Sequence, residues 1–555
     1  MATATGSTRD TIATLSGAPG SVARDVESRD PTSGEVWRRY PTTMPDGVHA
    51  AVARARIAQV AWAAQPVATR IRALRRFHES LYRRRLEVAV ALTRENGKPT
   101  AEALANEVAI ALDFARFYAD RAPGFLRAPW TGATPLAMKR KRLRIRREPH
   151  GVVGVISPWN YPLMLSAAIV LPALVTGNAV LLKPSEFTPT SGALLGELLA
   201  DAGVPDAVFA VIQGDGSTGA ALCDAAVDKV FFTGSEATGR KVAAACAARL
   251  VPCSLELGGS DAAIVLADAD VRHAASGIAW GRFSNGGQTC VAPKRVFVET
   301  GAYDAFVAAL ESALRQLRLG AGSAMDTDVG PMIRADAAGV LAAQRDDALA
   351  RGATMFAAAL PVAADGPRQA SGAPGNPGAL DSACFFAPTV LLNVPLDARA
   401  MSEETFGPLL PVVRVRDADE AVALANAGTF GLAASIWSRD TARATKLAER
   451  IDAGSVSVND AIVTAGIADV PHGGVKHSGI GRTHGMAGLE ECVRTKAIVL
   501  DRFPRWRQAW WFGYSPQHMA GIDAYVRLAH GSGTLERLRA LPAFLRLLFA
   551  PARPV

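Results

Sequence analysis

Cysteine is scarce in this chain. There are six in 555 residues (Cys223, Cys246, Cys253, Cys290, Cys384 and Cys492), and none form a C-x-x-C pair. So few thiols, so spaced, do not make a disulfide framework and argue against a zinc site. The opening MATATGSTRDTIATLSG has no apolar core and is not a secretory signal. Long apolar runs are missing as well. The longest, Ala167 to Leu182, is broken by Pro172, Gly177 and Asn178. It suits a buried helix followed by a strand, not a membrane span. Two runs are strongly basic, but aromatic residues do not interleave with them, so nucleic-acid binding is not expected. A reducing cytoplasm fits these absences.

What is present is core material. Apolar residues make up 49% of the chain, and that many over 555 residues should fill two or three domains. Helical patterns dominate from 45 to 125. The basic run Arg70–Arg85 places Ile71, Leu74, Phe77 and Leu81 at helical spacing, which predicts a helix with its arginines on a wet face. From 151 the texture changes to short apolar strands at 151–156, 179–182, 208–212 and 229–232, separated by helical segments. A second series begins with 262–266 and 295–298. This alternation predicts α/β architecture with doubly wound parallel sheets. The basic run 139–147 alternates charge with Leu143 and Ile145 and reads as a strand with one wet face. Residues 361–381, rich in Pro, Gly and Ala, read as a surface loop.

Three sites carry chemistry. Cys290 closes the Gly-rich stretch Gly286-Gly287-Gln288-Thr289-Cys290, where the backbone can approach a substrate closely. Thirty-four residues earlier, Glu256 opens ELGG, and Asn160 lies in SPWNYP (157–162). A thiol nucleophile, a carboxylate base and a side-chain amide donor are what acyl chemistry at a carbonyl uses. Taken singly, each has a plain structural explanation: a buried thiol, a surface acid, a turn residue. Gly214-Asp215-Gly216-Ser217-Thr218-Gly219 matches G-x-G-x-x-G after a strand, a weak dinucleotide signal by itself.

In order along the chain stand SPWNYP, KPSE (183–186), FTGS (232–235), ELGG (256–259), GGQTC (286–290), EETFGP (403–408), VND (458–460) and PHGGVKHSGIGR (471–482). With these motifs the chain resembles the aldehyde dehydrogenase superfamily, of the NAD(P)-dependent, non-phosphorylating kind, from about residue 25 to about 500. In look it is similar to bacterial succinate-semialdehyde dehydrogenase-like members. The resemblance implies a NAD-binding domain (25–126 and 151–255), a catalytic domain (256–470) and a small β oligomerisation arm (127–150 and 471–500) that makes a homodimer or homotetramer. A flexible N-terminus (1–24) and a C-terminal extension (501–555) flank them. It also implies Cys290 as nucleophile, Asn160 and the Cys290 N–H as oxyanion donors, and Glu256 as general base. No metal is expected, and His472, His477 and His484 read as loop histidines.

For the cofactor the resemblance implies Ile156, Ser157, Trp159, Lys183, Glu186, Gly214, Gly234, Ser235, Glu404 and Phe406. The pyrophosphate then belongs near Gly234 and Ser235 at a helix start, with Gly214 on the adenosine side. Glu186 would bind a ribose diol and repel a 2′-phosphate, favouring NAD over NADP. Two positions depart from many relatives: Ile169 stands where they carry a lysine, and Arg494 where an ungapped comparison of GLEECVRTK places a glutamate. The helix after Asn160 offers no arginine for a substrate carboxylate. An aliphatic or aromatic aldehyde is therefore expected first, succinate semialdehyde second and a CoA-acylating reaction third. The extension holds Trp506, Trp510, Trp511 and Phe512, then arginines among the apolar residues of 535–549. It is expected to cap its own or a neighbouring subunit, with peripheral membrane contact as the alternative. Pro542 should interrupt any helix there.

Overall fold

The computed structural model describes residues 25–358, 382–503, 508, 511–512 and 514–549. The segment 1–24, the loop expected at 361–381, Trp506 and Trp510 lie outside the described residues. The chain divides into two compact units. The larger comprises Met1–Phe125 with Pro149–Val493, and the smaller Leu126–Glu148 with Arg494–Val555.

The larger unit holds two sheets. The first runs in the order Gly479–Ile480, Cys253–Glu256, Lys229–Thr233, Val152–Ile156, Ala179–Lys183, Phe209–Val211. Only Gly479–Ile480 is antiparallel to its neighbour. Val152–Ile156 and Ala179–Lys183 are buried along their whole length, as the near-continuous apolar runs of a covered parallel sheet require. The helix between them, Pro162–Thr176, is apolar all round and wholly buried. It stops at Gly177, whose φ of 101° supplies the left-handed cap. From Val152–Ile156 the chain first builds the sheet one way, then returns to build it the other. The order reverses between Val152–Ile156 and Lys229–Thr233. The crevice beyond the carboxyl ends of such strands is where open α/β sheets bind ligands.

The second sheet runs Thr354–Ala357, Thr389–Leu392, Leu409–Val415, Pro293–Glu299, Asp261–Val265, Ala433–Trp437, Ser455–Val458. It is parallel except at Thr354–Ala357. Alternate residues of Asp261–Val265 face opposite cores. Ala263 and Val265 join Ile278, Phe306 and Trp437, while Ala262 and Ile264 join Phe297, Leu409 and Ile436. The α/β architecture is thus the one the alternation predicts.

One basic residue departs from expectation. The helix Val67–Arg83 buries Ile71, Leu74, Phe77 and Leu81 as its period predicts, but Arg70 is buried with them. Its guanidinium donates to the carbonyls of Gln65 (2.6 Å), Ala63 (3.2 Å) and Val175 (2.9 Å). These belong to the ends of the helices Pro45–Ala64 and Pro162–Thr176, where unpaired carbonyls favour a cation.

In the smaller unit, Lys141–Pro149 lies between Thr131–Gly132 and Val493–Asp501. The Asp501 carboxylate accepts from Lys141 Nζ at 2.7 Å. The helices Pro516–His530 and Thr534–Phe549 pack as a hairpin through Ala524, Ala540 and Phe544. The second helix runs through Pro542, against expectation. The proline removes the donor for the Leu538 carbonyl, and Leu538 is exposed, so water can replace that bond.

Candidate active site

At the reversal of the first sheet, the segments after Val152–Ile156 and Lys229–Thr233 meet the loop that leads into Pro293–Glu299. That loop is strained. Asn285, Gly286 and Gly287 take φ of 53°, 60° and 74°, a left-handed run that costs energy at the asparagine. A Cβ on Gly287 would strike the backbone of Gly407, so the GGQTC and EETFGP segments lie against each other only because glycine stands there. Polar bonds hold the loop. Asn285 donates its backbone N–H to Glu102 (2.9 Å) and its Nδ2 to the Asn160 carbonyl (2.9 Å). Gln288 Nε2 returns to the Asn285 carbonyl (2.8 Å), and the Thr289 and Tyr161 hydroxyls meet at 3.0 Å.

Asn160 is fixed from beneath. Lys98 Nζ donates to the Asn160 carbonyl at 2.7 Å and pairs with Glu107 at 2.6 Å, both side chains fully buried. The other Glu107 oxygen accepts the Leu163 N–H at the start of Pro162–Thr176 (2.9 Å). Such a pair is tolerable inside only because its remaining valences are satisfied. The Asn160 side chain donates to the Gln288 carbonyl at 3.1 Å.

Two cavities meet at Cys290. The first, of ≈ 230 Å³, is lined by Trp159, Asn160, Gly234, Ser235, Glu256, Glu404 and Phe406 among others. Ser235 caps the helix Glu236–Ala248, whose free N–H groups suit a phosphate. Glu404 accepts the Gly259 N–H at 3.0 Å and pairs with Lys294 at 3.3 Å. Phe406 stands edge-on to Trp159, centroids 5.4 Å apart. The second cavity, of ≈ 190 Å³, is walled by Tyr161, Met164, Leu165, Trp280, Val291, Ile462, Val463 and Ile467, with no lysine, arginine or carboxylate in its lining. Cys290, Leu165 and His472 border both.

Not every expected cofactor residue joins the first cavity. Ile156 ends one strand with Ser157 just past it, and Lys183 ends the next, where its carbonyl accepts the Ser157 N–H (3.0 Å). Lys183 pairs with Glu186 at 3.1 Å. Glu186 lines a separate, open hollow of ≈ 640 Å³ with Asp215. Gly214 has φ of 158° beside the helix Gly216–Asp224, which Asp215 caps.

Burial dominates the titrations. It pushes the Cys290 thiol up to about 12, against the pull of Lys294, and raises the Glu256 carboxyl well above its usual range. Glu256 Oε2 has no hydrogen-bond partner, and Oε1 lies 3.5 Å from Thr483 Oγ1. His472 and His484 lie in loop segments, as expected, at an isolated bridge and at a bend. Both are buried, their rings stacked at 4.9 Å. Backbone bonds between His472 and Thr483 (2.8 and 2.7 Å) fold the Gly-rich segment inward. Only His477 keeps to the surface, 3.2 Å from Glu236. Sequence reasoning missed Lys98, Glu107, Glu102, Lys294 and the inward turn of His472. What the sequence does not display is the distant partner of each: Asn160 for Lys98, Leu163 for Glu107, Asn285 for Glu102 and Glu404 for Lys294.

The profile of the aldehyde dehydrogenase family matches residues 19–498, and the chain belongs to that family. It is an oxidoreductase of the NAD(P)-dependent aldehyde dehydrogenase kind. A 4,4'-diapolycopene aldehyde oxidase of Methylomonas sp is 36% identical over 510 residues, 92% of each chain. A succinate-semialdehyde dehydrogenase [NADP(+)] of Deinococcus radiodurans is 39% identical, covering 86% of this chain and 94% of that protein. Among solved structures, a NAD-dependent aldehyde dehydrogenase from Sinorhizobium meliloti superposes with a TM-score of 0.80 at 34% identity, over 88% of this chain and 93% of the other. Relatives thus include users of both cofactors.

Proposed function

We propose that the chain oxidises an apolar aldehyde to its carboxylic acid through Cys290, with NAD as the preferred cofactor. One observation carries this: Cys290 stands where a cavity with a helix N-terminus and carboxylates meets a cavity with apolar walls. The aldehyde enters the apolar side. The Cys290 sulfur, its proton passed to solvent water, bonds to the carbonyl carbon as the C=O π pair moves onto oxygen. The Asn160 amide and the Cys290 N–H receive the oxyanion. Gly234, Ser235, Glu404 and Phe406 would hold a nicotinamide cofactor, which would accept the hydride that leaves the carbon as its carbonyl re-forms, so that the carbon stays bonded to sulfur as a thioester. Glu256 then takes a proton from the water that hydrolyses the thioester.

The absence of a cation in the substrate cavity favours a hydrocarbon chain over a dicarboxylate semialdehyde. So does the name of the Methylomonas relative, whose match covers too much of the chain to stop at residue 498. The smaller unit supports the same idea. Leu535, Leu538, Leu541 and Leu545, three or four residues apart on one helix, are exposed beside Arg537, Arg539 and Arg546. That pattern suits an anionic lipid surface, and among the described residues no helix is long and apolar enough to cross a membrane. The exposed edge strand Val493–Asp501 supports a homo-oligomer built by strand pairing.

The test is NADH production with a panel of short, long and carboxylated aldehydes, with and without CoA. Long apolar aldehydes should have the highest kcat/KM without CoA. A preference for succinate semialdehyde, or a requirement for CoA, overturns the assignment. Co-sedimentation with anionic liposomes, with and without residues past 502, tests the lipid contact.

A further inference from the structure

The family chemistry leaves one buried cluster unused. His472 borders both cavities, and its Nε2 lies 3.8 Å from Glu256 Oε2, the carboxylate oxygen with no partner. Behind it sits His484, wholly buried, stacked on His472 and 4.6 Å from the Phe114 ring, with neither ring nitrogen bonded. A gap of 3.8 Å is beyond a hydrogen bond. It is of the size that closes when a resting catalytic site tightens on substrate.

We propose that His472 is a positioning residue for Glu256: its imidazole N–H donates to the carboxylate, holds it at the junction of the two cavities and keeps it ionised for hydrolysis of the thioester. His484 serves as packing that fixes the His472 ring. In that step water loses a proton to Glu256 as its oxygen bonds to the acyl carbon, and the carbon–sulfur bond breaks to return Cys290. His472 transfers no proton. A neutral ring is what this role needs, with its proton on Nε2. Burial and the neighbouring Arg482 keep the His472 pKa down to about 4, so the ring stays neutral across the working range. The charged and titratable groups acting on Glu256 are Arg482, which favours its ionised form, and Glu491, which opposes it. Glu404 and Cys290 share its cavity. None of these supplies the missing donor to Oε2.

The sign follows. A hydrogen bond to the ionised form lowers a carboxyl pKa, so removing the donor raises it. The role presupposes the thioester chemistry proposed above, and the experiment separates the two. Full-length wild type, His472→Phe, His472→Gln and His484→Phe are given octanal and NAD. The NADH burst reports formation of the acyl-enzyme, and quenched single turnovers report its hydrolysis from pH 5 to 9. In His472→Phe the burst should persist. The acid limb of hydrolysis should move up by about one pH unit, close to a tenfold loss on its acid side. His472→Gln, which keeps an N–H, should return the limb towards wild type, and His484→Phe should leave it in place. A limb unmoved in His472→Phe overturns the proposal. So does a limb displaced equally in His472→Gln and His484→Phe, which would mean packing alone. If His472→Phe does not fold, the His472→Gln and His484→Phe profiles still decide between donor and packing. No burst in the wild type would instead sink the reaction itself.

Discussion

The two cavities that share Cys290 are built from different kinds of sequence. The first is made of motif segments: SPWNYP, FTGS, ELGG and EETFGP each give it a residue. Backbone groups and a helix N-terminus do much of its work, so glycines at fixed places are needed. The second is walled by Met164, Trp280, Ile462, Val463 and Ile467, side chains that any apolar residue of similar volume could replace. On the proposed reading, chemistry and selectivity divide at one sulfur atom, and mutations on the two sides should act on different constants.

The largest effect belongs to the shared atom. Cys290→Ala should abolish NADH formation with every aldehyde, and persistence near the wild-type rate would remove Cys290 from the mechanism. Glu256→Gln should divide the reaction: the stopped-flow NADH burst stays and steady turnover collapses. Unchanged turnover would mean another base acts.

On the polar side, Asn160→Ala should slow hydride transfer by roughly 10²–10³-fold, the usual loss for one oxyanion donor. The burst rate measures this directly. A change in KM alone would show that Asn160 only shapes the cavity.

How much of this was legible in the sequence follows the same division. The strands 152–156 and 179–183 and the helix between them rest on local patterns, continuous apolar runs with Gly at caps and turns, whereas the shared role of Asn160, Glu256 and Cys290 came from the family resemblance of their motifs. What stayed hidden depends on partners far along the chain. Glu107 lies beneath Asn160 only because Lys98 and the start of Pro162–Thr176 converge on it. Arg70 looked like one more surface arginine until two helix ends came together around it. His472 sits among glycines, which suggested a loop but not its burial; its backbone bonds to Thr483 turn it inward.

On the apolar side, a cation should be enough to shift choice. Ile467 lines the second cavity and is 39% exposed, so a longer side chain there has room for its charged head. Ile467→Arg should raise kcat/KM for succinate semialdehyde relative to octanal by about tenfold, since a hydrogen bond to a charged group is worth about 1.5–3 kcal/mol. Hydride-transfer rate at saturation should hardly move. Equal losses for both aldehydes would show that the wall is not what selects.

The smallest effect lies away from the two cavities at Cys290, in the separate open hollow that Glu186 lines. Glu186 is partly exposed there and pairs with the buried Lys183 at 3.1 Å. In the proposed cofactor placement, a 2′-phosphate would meet like charge at this carboxylate, while a ribose diol would find an acceptor. Lys183 draws the other way, because its ammonium would attract the same phosphate once Glu186 no longer neutralises it. Wild type should therefore prefer NAD by a modest factor. Glu186→Ser should move the NAD to NADP ratio of kcat/KM several-fold towards NADP by removing a repulsion and freeing a cation at once. Salt should shrink this shift, since a partly exposed charge is screened within about 10 Å at 0.1 M. Paired KM values for the two cofactors at low and high salt provide the check. If wild type already prefers NADP, the Glu186–Lys183 pair acts as a net cation and the repulsion does not govern the choice.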